Sequence, residues 1–224
     1  VFFFLIAPLF AIIPISFSVS PFMVFTEGML AWPPDPEAWS IRWYKNMIGD
    51  CSADVVSSTV PCSTKWMVGT VNSFYIGIIA TVIATALGTL AALGLSRPHM
   101  PYKGLIMAIL ISPMIVPLII TAAGMFFFYA RINLVYTFTG VILAHVALAT
   151  PFVVITVTAT LVGFDMNMVK AAQSLGAKPM RTFFKVIMPL ILPGIISGAL
   201  FAFITSFDEV VIVMFMASID QLTI

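Results

Sequence analysis

An all-α integral membrane protein is the fold class this sequence predicts, and three observations predict it. Of its 224 residues 61% are hydrophobic and only 8% charged, whereas a water-soluble domain carries about a quarter charged residues. Ten Lys and Arg with nine Asp and Glu are too few to clothe so apolar a globule, and the mean hydropathy is +1.13, so lipid is the solvent for most of the chain. The apolar residues also run unbroken for about 20 positions or more, the length a helix needs to cross about 30 Å of hydrocarbon with its backbone hydrogen bonds closed internally. Barrel strands would instead alternate in polarity over about ten residues. A net charge of +1 gives no electrostatic case for nucleic acid, the apolar content excludes a disordered chain, and two Cys with two His do not make a metal cluster or a disulfide scaffold.

The placement of charge predicts five spans, in order. The first runs from Val1 to about Phe25, with no charge before Glu27; the second lies between Lys65 and Arg97, and the third between Lys103 and Arg131. The fourth extends from about Tyr136 to Val162 and holds His145, and the fifth from about Val186 to Ala217, interrupted by Asp208 and Glu209. Pro113, Pro117 and Pro151 are candidate kinks in the third and fourth spans. The sequence opens at Val1 already inside an apolar run and stops at Ile224 after a polar stretch, which predicts a fragment of a longer chain, 1–224 forming one membrane domain.

Orientation follows from the basic residues. The turn 96–103 holds Arg97 and Lys103, and the connection after the fourth span holds Lys170, Lys178, Arg181 and Lys185, together six of the ten basic residues. Two spans separate these connections, so both face one side, predicted to be the cytoplasm of a bacterial inner membrane. The opposite face receives the loop 26–66, whose stretch Ala31-Trp32-Pro33-Pro34-Asp35-Pro36 is predicted to be extended because each proline disfavours helix in the residue before it. Residues 40–48 have the spacing of a helix lying along the membrane surface. The loop also carries Cys51 and Cys62, which either close a disulfide on the oxidising side or stay as free thiols.

The connection 163–189 has the grammar of helix, stop, helix. Asp165 is placed to cap a short helix bearing the small Ala171 and Ala172, Gly176 to end it in the left-handed conformation, and Pro179 to open a second helix. Phe183, Val186 and Ile187 recur at helical spacing opposite Lys178, Arg181 and Lys185, so this helix is amphipathic. Such a hairpin either meets a protein partner or rests on anionic lipid.

The stretch from Lys170 to Pro189 resembles the EAA loop of binding-protein-dependent ABC importer permeases. Ala171, Ala172, Gly176, Ala177, Phe183, Val186 and Pro189 stand in register with that pattern. Lys170 replaces the usual Glu and Met188 a common Leu. Further phrases, Pro8-Leu9-Phe10, Ile41-Arg42-Trp43-Tyr44, Thr70-Val71-Asn72-Ser73 and Ser206-Phe207-Asp208-Glu209, look like the second, C-type permease subunit of the spermidine/putrescine subfamily. The resemblance implies a type I ABC importer transmembrane domain with a sixth helix beyond Ile224. It also implies transport by alternating access, with 163–189 as a cytoplasmic coupling loop. Implied partners are an ABC ATPase dimer that holds ATP and Mg, a second permease subunit of different sequence, an extracytoplasmic solute-binding protein and membrane lipid. No Walker-type phosphate loop occurs in this chain, so no cofactor, metal or catalytic group is expected in it.

Four residues are candidates for the substrate path. Acids inside an apolar span are costly, so Asp208 and Glu209 either face a cationic solute or mark the point where the helix ends at water. Adjacent helical residues point about 100° apart, so one of the two at most faces a cavity squarely. His145 reads as an interior hydrogen-bonding residue or a gate. Tyr129, in the run Phe126-Phe127-Phe128-Tyr129 before Arg131, reads as an aromatic face for a cation or as part of the interfacial belt. A membrane-embedded enzyme would show matched Asp, His or Glu in several spans, and a channel would leave the basic hairpin without work. The substrate alternatives on such a scaffold are other amines, opines, iron or anions.

Overall fold

Among the described residues every regular element is helical, and the one sheet-like contact is a single antiparallel bridge between Ser18 and Trp39. The computed structural model describes residues 2–20, 22, 24–49, 65–97, 99–165, 167–218, 221 and 223. They fall into two compact units, Val1–Thr70 and Val71–Ile224.

In the first unit α1 (Phe2–Ile15) has 14 residues, a length of about 21 Å, and stops ten residues short of the span expected to reach Phe25. The chain leaves the helix to pair with the loop 26–66: Ser40 N–H donates to Phe17 O at 2.7 Å and Val19 N–H to Ala38 O at 3.2 Å. After α2 (Glu27–Leu30), Asp35 caps a 3-10 turn at Pro36–Ala38, its Oδ1 accepting from Glu37 N–H at 2.9 Å. The short helix expected within 40–48 is α3 (Arg42–Met47). It is pinned back on the end of α1, with the Trp43 indole N–H donating to Ser18 O at 3.2 Å and the Tyr44 and Ser16 hydroxyls 2.7 Å apart. Cys51 and Cys62 lie outside the described residues.

The second unit holds the long helices. Three stretches are long and apolar enough to cross a membrane: α4 (Lys65–Leu95, which starts in the first unit), α7 (Phe138–Val162) and the continuous run Pro179–Phe207. The expected third span is not one rod. It is α5 (Lys103–Ile115) and α6 (Leu118–Arg131), bent by 104° at Val116-Pro117. The residue before a proline is pushed out of the helical region, and Val116 is extended at ψ 137°. Counting that pair as one span gives four among the described residues, against the five expected. Pro151, by contrast, lies inside α7 without ending it.

Helix α7 packs closely against α10 (Met188–Phe207). The face of α10 turned inward is Ile191 followed by Gly194, Gly198, Ala202 and Ser206; these last four are small residues repeating every fourth position, which let two helices approach closely where lipid supplies no hydrophobic drive between them. A Cβ on Gly198 would stand 2.5 Å from the Thr156 hydroxyl and 3.0 Å from the Val153 Cα, and one on Gly194 would collide with Thr160. The hydroxyls of Thr150, Thr156 and Thr160 return to carbonyls of their own helix at 2.6, 3.0 and 2.9 Å, so they cost nothing in unpaired polarity.

Candidate functional site

The connection between α7 and α10 folds as its sequence grammar predicts. Asp165 Oδ1 accepts from Asn167 N–H at 2.9 Å and starts α8 (Asn167–Ser174), satisfying a donor that has no partner within the helix. The far end closes by a paired left-handed stop: Gly176 sits at φ +80°, its N–H donates to Gln173 O at 2.9 Å, and Ala177 N–H donates to Ala172 O at 3.0 Å. Lys178 is extended before Pro179, which opens α9 (Pro179–Thr182). A single π turn, Phe183–Ile187, then leads into α10. Such turns are rare in helices and gather at functional sites.

What this hairpin lacks is cover. No residue of α8 is buried, Leu175 is 89% exposed and Met180 71% exposed. Lys170, Ala171, Gly176 and Pro189 are exposed, and Ala172, Ala177 and Phe183 half-buried. The two basic connections do lie on one side, since Ser96 and Arg97 from the first share a cavity wall with Phe164 and Phe183 from the second.

The four candidate path residues separate. Asp208 is exposed at the end of α10, its N–H closing the last turn on Ile204 O at 3.0 Å. Glu209 is buried and accepts from Ile212 N–H at 2.9 Å as the chain enters α11 (Val211–Met216). The helix thus ends at the acids, with Asp208 exposed and Glu209 buried. His145 is 1% exposed, inside the α7 and α10 pair, with its Nδ1 2.8 Å from the Ser206 hydroxyl. Its Nε2 meets no hydrogen-bond partner among the described residues. Tyr129 is half-buried on α6 beside Phe128, ring centroids 5.6 Å apart. The structure therefore brings His145 and Ser206 together, with Asp208 exposed two residues beyond Ser206 and Tyr129 half-buried on α6. Sequence reasoning missed the face Gly194, Gly198, Ala202 and Ser206, although its four-residue spacing was a legible signal.

Residues 84–224 match the model of a family described as binding-protein-dependent transport system inner membrane component. The chain belongs to that family. The match takes in α7, the exposed hairpin and α10 entire, so the loop just described is a feature of a permease. Relatives include the spermidine/putrescine transport system permease protein PotC of Haemophilus influenzae, 33% identical over 150 residues that make 67% of this chain and 58% of that protein. The putrescine transport system permease protein PotI of Escherichia coli is 29% identical over 96% of this chain and 70% of its own length. The trehalose transport system permease protein SugB of Mycobacterium tuberculosis is 33% identical over 64% of this chain. Thus the aligned stretch spans little more than half of the Haemophilus relative. Among solved structures, a bacterial ABC transporter that imports the acidic polysaccharide alginate superposes with a TM-score of 0.71 over 98% of this chain and 71% of that one. At 14% identity this likeness speaks for the fold, an ABC importer transmembrane architecture.

Proposed function

We propose that this chain is a permease subunit of an ATP-driven importer in the bacterial inner membrane, and that 163–189 is the loop through which a separate ATPase moves it. The observation that carries the reading is the hairpin itself: capped by the Asp165 side chain at one end and by its own backbone at the other, rooted in two closely packed helices, and without a buried residue on α8. Exposed apolar side chains held in a fixed geometry fit a groove on a partner. Lys170, Ala171, Ala172, Gly176 and Ala177 form the inserted piece, with Phe183 and Pro189 at its return to α10. ATP and Mg belong to the ATPase dimer, and this chain binds no cofactor. Closure of that dimer shifts a two-state equilibrium of the membrane helices, which alternately open the solute path to either side.

The solute we assign is a polyamine such as spermidine or putrescine, handed over by an extracytoplasmic binding protein, with a second permease of different sequence completing the path. PotC and PotI carry this assignment. SugB supports a second reading, a disaccharide. Membrane vesicles containing the chain and its partners test both. ATP-dependent uptake of labelled spermidine, with no uptake of trehalose, is the expected result. Trehalose uptake alone moves the substrate to the second reading, and purification of the chain without any ATPase overturns the importer reading itself.

A further inference from the structure

A cavity of about 440 Å³ opens where the C-terminal end of α4, the C-terminal end of α7 and the π turn meet. Its wall is apolar, with Leu93 from α4, Leu161 from α7, and Phe164, Phe183 and Ile187 from the two roots of the hairpin. Its polar members are Ser96 and Arg97, one and two residues past the last turn of α4. Arg97 is exposed and also lines an adjoining cavity of about 550 Å³ with His99 and Met100.

Charge on this side is lopsided. The connections 96–103 and 163–189 hold Arg97, Lys103, Lys170, Lys178, Arg181 and Lys185 against one acid, Asp165. That acid is turned to its own helix start, accepting from Asn167 N–H at 2.9 Å. An apolar cleft between membrane helices with a guanidinium at its rim, in a field of uncompensated positive charge, is complementary to one kind of occupant: a molecule with an anionic head and a hydrocarbon tail. Arginine presents a planar fork suited to phosphate, and basic pockets between spanning helices on the cytoplasmic side accept phospholipid head groups.

From this juxtaposition we infer that the cleft between α4, α7 and the π turn is a binding site for one anionic phospholipid, its phosphate on Arg97 and an acyl chain along Leu93, Leu161 and Phe183. The occupant touches Phe164 and Phe183, where the hairpin leaves α7 and rejoins α10, and so restrains both roots of the loop. This last consequence rests on the coupling role proposed above; the binding does not.

The test uses the whole chain, extracted with whatever partners it holds and placed in phosphatidylcholine discs. Phosphatidylglycerol is the probe, and native mass spectrometry counts the lipid retained. One phosphatidylglycerol per chain is expected, against a background of phosphatidylcholine that washes away. Arg97→Gln weakens retention about fivefold, the effect of one basic residue near an anionic head group. Leu161→Trp, which fills the cleft and leaves every charge in place, weakens it as well, while Arg131→Gln does not. Inorganic phosphate does not displace the lipid, which distinguishes a lipid site from a free-anion site. Unchanged retention in Arg97→Gln, equal retention of phosphatidylcholine, or displacement by phosphate overturns the proposal. Tight binding by a folded Leu161→Trp variant overturns the cleft and leaves surface attraction alone. Arg97→Gln alters an exposed side chain, so it decides the matter even where Leu161→Trp does not fold. Lipid counts do not depend on transport, so a failed uptake assay with a retained lipid counts against the function and not against this site.

Discussion

The hairpin 163–189 and the α7–α10 seam are joined end to end in the chain, yet they are stable for opposite reasons. The seam is held by closeness: Gly194 and Gly198 admit Thr160, Thr156 and Val153 to distances no larger residue would allow, and Ala202 and Ser206 continue the same buried face. The hairpin is held by its own ends, through Asp165, the left-handed Gly176 and Pro179, and its first helix, α8, buries no residue. A segment that closes its own hydrogen bonds can leave its side chains free for a partner without losing its shape. A seam made of small residues can only be useful while both helices remain in contact. Substitutions should therefore divide cleanly, with those in the seam removing folded protein and those in the hairpin removing coupling.

The largest effect is expected at Gly198. In Gly198→Leu the new side chain meets Val153 backbone at 3.0 Å and the Thr156 hydroxyl at 2.5 Å, and backbone cannot yield as a rotamer does. Overpacking of this kind costs about 3 kcal/mol. Thermal unfolding in detergent should drop by many degrees, and the amount of protein in the membrane should fall with it. A variant as stable as the parent would show that the two helices are not in contact as described.

Gly176→Val should separate the two regions. Among the described residues no atom beyond its chain neighbours lies within 4 Å of where its Cβ would stand, so the substitution meets no clash there. The strain is in the backbone alone, since a β-branched residue at φ +80° loses about 1–2 kcal/mol. That is enough to unmake a helix stop and too little to unfold the whole chain. Membrane insertion and thermal unfolding should stay near the parent values while ATP hydrolysis no longer drives uptake. Normal uptake in this variant would remove the coupling role from the hairpin.

How much of this was legible in the sequence follows from how local each cause is. The hairpin's stops all lie between Asp165 and Pro179, and each acts on its immediate neighbours, so the spelling alone placed them. The prolines were visible too, but their effects were not. Val116-Pro117 breaks a helix by 104°, whereas Pro151 sits inside an uninterrupted α7, because neighbouring helices decide whether a freed carbonyl is tolerated. The end of α1 at Ile15 depends on a pairing with Trp39 far along the chain. His145 showed as the one titratable group of its span. Its partner, Ser206, is 61 residues away, and no local pattern connects them.

Ser206→Ala tests that long-range link. The hydroxyl stands 2.8 Å from His145 Nδ1, and the imidazole's other nitrogen already meets no hydrogen-bond partner among the described residues. Removing the hydroxyl leaves a buried ring with both nitrogens unmet, at a cost of about 1–2 kcal/mol. A lowered unfolding temperature is expected in Ser206→Ala, with most of it regained when His145→Phe is added, because the apolar ring has no polar atom to strand. Additive losses in the double variant would mean that the two side chains do not depend on each other.

The smallest effect belongs to Asp165→Ala, and it sharpens the comparison most because it touches one end of the hairpin only. The carboxylate serves one backbone donor, Asn167 N–H, and a lost cap costs about 1 kcal/mol. Since α8 buries none of its residues, that loss has no buried contact of α8 through which to spread. Hydrogen exchange should quicken in the first turn of α8 while the amides of α7 and α10 keep their protection. If instead protection falls along α10, the hairpin and the seam are one cooperative unit, and the independence of the loop from the helices that carry it is wrong.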